Sequence, residues 1–108
     1  MGPDSLGRCG VLELEVLYSA RDPERARWQL IETFPLVPTH QVDWERAAEV
    51  MVLLARAGKH RSVGRYDAVL AAVAERAGLT VLHYDRDFET IASVTGQPVQ
   101  AVAPFGSL

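Results

Sequence analysis

The stretch VLHYDRDFE, residues 81–89, decides how this chain is read. With Thr80 it opens on TVLH, a β-branched, apolar run that follows Gly78 and reads as a strand. A polar turn holding Asp85 and Asp87 comes next, and Phe88 and Ile91 then begin a helical spacing. In open α/β sheets, ligands bind just beyond the carboxyl ends of strands, which is where these two acids stand. One reading makes Asp85 the N-cap of the following helix, with Asp87 favoured by that helix's positive end. The other makes them the corner of a metal site. The stretch by itself leaves both open.

Outward from it, the pattern is one of helices alternating with short apolar strands. GVLELEVLYSA (10–20) reads as a short helix, with Leu14, Leu17 and Tyr18 on one face and Leu12 and Val16 on another. DPERARWQLIETF opens on Asp22 as N-cap and Pro23 at the first helical position, and stops at Pro35. LVP (36–38) is a candidate short strand. A longer helix is expected from a cap near Asp43 through WERAAEVMVLLARA to Gly58. The basic loop GKHRSVGR then leads into the helix YDAVLAAVAERA, which ends at Gly78. Beyond the strand TVLH, FETIASVT is a last helix ending at Gly96, and VQAV (99–102) a final strand. This order predicts an α/β domain with a parallel sheet. Three short strands are few for such a sheet, which is usually covered on both faces and needs a continuous core.

Composition narrows the class. The 108 residues are 48% hydrophobic and 23% charged, with a formal net charge of -3, which suits one small domain. No apolar run approaches the ~20 residues of a membrane span, and MGPDSLGRCG has no signal-peptide core. Cys9 is the only cysteine, so no internal disulfide forms, in keeping with a reducing cytoplasm. The mild acidity argues against a protein that coats nucleic acid, though not against an enzyme with a basic rim around an acidic centre. His40, His60 and His83 show no zinc spacing, and there is no glycine-rich phosphate loop.

The acids carry the remaining chemistry. Glu15 lies in the mostly apolar LELEVLY, where burying an acid is costly unless a positive group meets it, and Glu13 is then the solvent-facing member. Asp67 falls in the first turn of its helix, where the macrodipole explains it equally well. Brought together, Glu15, Asp67 and Asp85, with Asp87 beside them, make an oxygen-only cluster that selects a hard cation such as Mg²⁺ or Mn²⁺. Such a cation activates water against a phosphodiester. Lys59, Arg61 and Arg65, just before Asp67, are either a grip on RNA phosphates or a solvated basic loop.

CGVLELEVLYSARDPERA, GKHRS and DAVLAAVAERAGLTVLHYDRDFE together resemble the PIN-domain ribonucleases, specifically the VapC-type toxins of bacterial toxin–antitoxin pairs. The resemblance runs from about Cys9 to the C-terminus. It implies a PIN-like α/β fold, with a short parallel sheet flanked by helices. It also implies an endoribonuclease whose Mg²⁺ (or Mn²⁺) is held by a quartet of acids at strand ends. Glu15 matches the second acid, Asp67 the third and Asp85 the fourth, with Asp87 as a further ligand or helper. Lys59, Arg61 and Arg65 would then bind RNA. A cognate antitoxin and a second copy of the chain are the implied partners, in the cytoplasm and away from membrane.

The family's first acid ends an N-terminal strand reading roughly V-D-T-S, and nothing here matches it; Asp4 follows no apolar run. Tyr66 stands where proline is frequent in the family, and AVLAAVA replaces LLIAATA. The expectation is a PIN-like domain over 9–108 lacking its N-terminal βα unit, preceded by an unstructured 1–8, with Leu53-Leu54 and Val69-Leu70 left uncovered. Two alternatives accompany it: an inactive PIN remnant that at most binds an antitoxin, and an unrelated α/β binding module whose acids are all caps.

Overall fold

In a computed structural model of the chain, residues 10–83 and 86–101 are described, side chains at 11 and 12 excepted. The order is α1 (Gly10–Ser19), α2 (Pro23–Thr33), α3 (Gln41–Arg56), a 3-10 turn (His60–Ser62), α4 (Arg65–Ala77), β1 (Val81–His83), α5 (Arg86–Thr95) and β2 (Val99–Ala101). β1 and β2 pair in parallel, with Val81 opposite Val99 and His83 opposite Ala101. The expected mixed α/β architecture is therefore present, mostly helical, with a short parallel sheet.

Helix ends are set by local chemistry. Asp22 caps α2 as read, accepting from the Arg25 backbone N–H at 3.1 Å, with Pro23 at the first position. α3 begins three residues earlier than expected, at Gln41 with His40 in the cap position in place of Asp43. Asp43 serves it from the third helical position, where its Oδ2 accepts from the His40 N–H at 2.8 Å. α4 closes on Gly78, whose φ of 69° puts it in the left-handed region that favours glycine, while the Leu79 N–H returns to the Ala74 carbonyl. LVP does not form a strand, and only Leu36 makes an isolated bridge. α5 starts at Arg86, two residues before the apolar spacing at Phe88, so Asp87 sits inside its first turn.

The core lies where α3, α4, α5 and β1 meet, around Val50, Leu54, Val81, Phe88 and Ile91. α4 is buried nearly all round, with Ala68, Ala71, Ala72 and Ala74 letting its neighbours approach closely. Leu54 is completely buried and Val69 4% exposed, so the expectation that these positions lie uncovered is not met. Two ion pairs tie α3 to α4: Arg46 Nε to Glu75 at 2.8 Å, and Arg76 Nε to the buried Asp43 at 2.8 Å. Gln97 fastens the turn before β2 to α4, donating to the Ala71 carbonyl at 3.0 Å. No helix among the described residues is long and apolar enough to cross a membrane.

Candidate metal centre

Two helix N-termini converge on Gly64. Asp67 lies in the first turn of α4 and Asp87 in the first turn of α5, so each carboxylate faces the partial positive charge of a helix start. The Gly64 N–H donates to Asp87 Oδ2 at 2.9 Å, so an acid of α5 caps the entry to α4. A Cβ placed on Gly64 would stand 3.0 Å from Asp67 Oδ2 and 3.6 Å from Asp87 Oδ2. Glycine here leaves room for the Asp67 carboxylate and meets no backbone demand, since its angles, φ -64° and ψ 135°, suit any residue.

Glu15 reaches the same place from α1. A cavity of about 400 Å³ is lined by Glu15, Val63, Gly64, Arg65, Tyr66 and Asp67. Glu15 and Asp67, 52 positions apart, thus share one wall system with Arg65 between them in sequence. The expected burial of the two α1 acids is reversed: Glu15 is exposed and Glu13 half-buried. α1 packs on α2 and α4 without being enclosed, so an acid in it escapes the cost that apolar neighbours in sequence suggest. Glu13 lines a larger groove next door, which Glu15 also borders, but not the cavity holding Asp67.

Of the basic residues, Arg65 lines the cavity, whereas Lys59 and Arg61 are exposed on the preceding turn and do not. That turn is held by its own backbone, with Ser62 Oγ donating to the Lys59 carbonyl at 2.8 Å. At the end of β1, His83 is buried beside Phe88, and its Nε2 lies 3.1 Å from Glu89 Oε1. Asp85 lies outside the described residues, as do Asp4 and Cys9. Among the described residues, no three His, Cys, Asp or Glu groups stand close enough to hold a metal ion together. The donor chemistry of Glu15, Asp67 and Asp87 is oxygen-only, and Asp67 Oδ2 lies close against the side of Gly64 that a Cβ would fill. Oxygen donors of this kind suit a hard divalent cation, and Glu15 and Asp67 on the cavity wall are the described residues that would hold one. The Gly64 backbone donor was not legible in the sequence, because a backbone N–H leaves no mark there.

One consequence is testable at Gly64. Gly64→Ala should leave thermal stability level or raise it by up to about 1 kcal/mol, since the backbone angles accept alanine. It should nonetheless weaken Mn²⁺ binding in a calorimetric titration, because the new methyl presses on Asp67. Unchanged affinity would separate Asp67 from the cation site.

Comparison with known proteins gives the family. Residues 4–94 match the PIN domain family. A ribonuclease of Mycobacterium tuberculosis, VapC21, is 45% identical over 103 residues, covering 92% of this chain and 75% of that protein. Ribonuclease VapC51 of the same organism is 38% identical over 109 residues, covering 96% of this chain and 77% of its own length. Among solved structures, VapBC2 from Rickettsia felis bound to a DNA fragment from its promoter superposes with a TM-score of 0.72. The match covers 92% of this chain and 76% of that one at 12% identity, a likeness of fold. These matches set aside the unrelated binding module. The chain belongs to the PIN-domain family, among its VapC ribonucleases.

Proposed function

We propose that Glu15, Asp67 and Asp85, helped by Asp87, form the metal-dependent cutting centre of a VapC-type endoribonuclease toxin. The observation that carries this reading is the cavity shared by Glu15, Asp67 and Arg65, residues that the sequence holds far apart. VapC ribonucleases of the PIN family are in general dependent on a divalent metal, and Mg²⁺ or Mn²⁺ is the cation proposed here. When bound, such a cation supplies an activated water and neutralises charge at the phosphodiester. The chain's own residues do the rest. The starts of α4 and α5 offset the mutual repulsion of Asp67 and Asp87, and the Gly64 N–H fixes the latter. Arg65 binds a non-bridging phosphate oxygen beside the acids, and Lys59 and Arg61 hold phosphates farther along the strand. A cognate antitoxin and a second copy of the chain are the proposed partners, in the cytoplasm. The solved neighbours include VapBC-5 of Mycobacterium tuberculosis, described as a member of a family of toxin–antitoxin systems.

The test is a Mn²⁺ titration paired with RNA cleavage. The wild-type chain should bind the ion and cut. Glu15→Gln should weaken both, while Glu13→Gln, altering an acid outside the cavity, leaves them nearly unchanged. Equal effects from the two would remove Glu15 from the site. A chain that binds no Mn²⁺ and leaves RNA intact would instead be the inactive remnant.

A further inference from the structure

Beside the acidic cavity lies a second, larger depression of about 720 Å³, bordered by α1, by Thr39 in the segment leading to α3, and by the starts of α3 and α4. Three aromatic rings line it, from three different helices: Tyr18, Trp44 and Tyr66. All are exposed, at 93%, 47% and 56%, which is unusual for large apolar rings that a small domain would otherwise bury. Glu15 and Tyr66 belong to both depressions, so the groove runs directly into the proposed cutting centre.

We propose that this groove is a base-stacking platform for single-stranded RNA, which places unstacked bases on Tyr18, Trp44 and Tyr66 while the adjoining phosphates pass Arg65. The inference rests on the ribonuclease reading above and adds the substrate's conformation and the residues that hold it. Charge decides the orientation. Glu13 and Glu15 border the groove and repel phosphates, whereas Arg65 lines the adjoining cavity with Asp67 and not the groove. A strand with its anionic backbone toward Arg65 and its neutral base faces toward the aromatics satisfies both. Proteins that read single-stranded nucleic acid use this pairing of basic track and aromatic face, and each stacked base contributes roughly five- to 150-fold in affinity. Duplex RNA keeps its bases stacked inside the helix and offers the rings nothing.

The test uses Trp44 as its own reporter. In the full chain carrying Trp28→Phe, Trp44 is the only tryptophan, and Trp28 lies on α2, which buries no residue. Oligoadenylate, kept from cleavage by EDTA, should quench Trp44 fluorescence, and its duplex with oligouridylate should not. Tyr18→Ala and Tyr66→Ala should each weaken binding about tenfold, with Tyr18→Phe and Tyr66→Phe restoring it. Oligoadenylate binding indifferent to both alanine changes overturns the platform. So does quenching by an apolar antitoxin-derived peptide where oligoadenylate has no effect, which would assign the groove to a protein partner. Because no metal is present, the expected binding without any cleavage in a parallel Mn²⁺ assay would uphold the platform and sink the cutting centre.

Discussion

Asp67→Asn is expected to abolish Mn²⁺-dependent RNA cleavage and to reduce Mn²⁺ affinity by at least about 100-fold, while the chain keeps its fold. Loss of a residue that merely supports a metal ligand costs about 10–100-fold, and a ligand itself should cost no less. The substitution preserves shape and an acceptor oxygen, so packing around the half-buried position is unaltered. Two small effects on stability oppose each other. The positive end of α4 loses a charge it favours, about 0.3–1 kcal/mol, and repulsion from the other acids is relieved. The melting temperature should therefore move little. Calorimetry and a cleavage assay read the first effect, and a thermal melt reads the second. Full Mn²⁺ affinity in the variant would reduce Asp67 to a helix-end acid with no part in the chemistry.

Asp43→Ala should have the largest effect on stability, roughly 3 kcal/mol or more out of the 5–15 kcal/mol of a typical domain. The Asp43 side chain is 2% exposed and that of Arg76 30%, so removing the acid leaves a guanidinium that water reaches only in part. It also deprives the His40 N–H of its acceptor at the start of α3. Burial pushes the Asp43 carboxyl up. The Arg76 hydrogen bond, the His40 N–H and the charge of Arg76 outweigh burial and hold it below the ordinary 3.8. A carboxyl lowered by folding stabilises the fold above its unfolded pKa, and that contribution is lost as pH falls through the folded value. Wild-type stability should thus drop as the medium is acidified below about pH 4, and Asp43→Ala should show a shallower drop. Parallel acid dependences in melts of the two proteins would show that the pair contributes little.

Most of the fold could be read from residues with local rules. Asp22-Pro23 opens α2, Gly78 closes α4, and the β-branched run ending at His83 is β1. Reading failed where the signal was not local. The start of α3 is shifted because Asp43 acts from inside the helix and reaches Arg76, 33 residues away. α5 begins two residues ahead of the apolar spacing at Phe88, because Arg86 and Asp87 join the helix through backbone and charge and add no apolar side chain to its period. LVP has strand composition but, beyond the bridge at Leu36, forms no strand there. For the site, Asp67 and Glu15 were legible through resemblance and not through spacing, since 52 intervening residues carry no geometry. The exposure of Glu15 depends on how α1 is covered, which is a tertiary fact. The aromatic groove was illegible for the same reason, as its three rings come from three helices.

The pairing of β1 with β2 has a consequence for chain entropy. Val81 and Val99 are 18 positions apart, and the segment between them contains α5, so closing this parallel pair is a local event. Loop-closure cost grows only with the logarithm of separation, and here the separation is near the least that a parallel crossover permits. The described sheet thus draws its register from within the last third of the chain. An insertion between α1 and α3 would lengthen no loop that this register has to close, and β1 and β2 would keep their alignment.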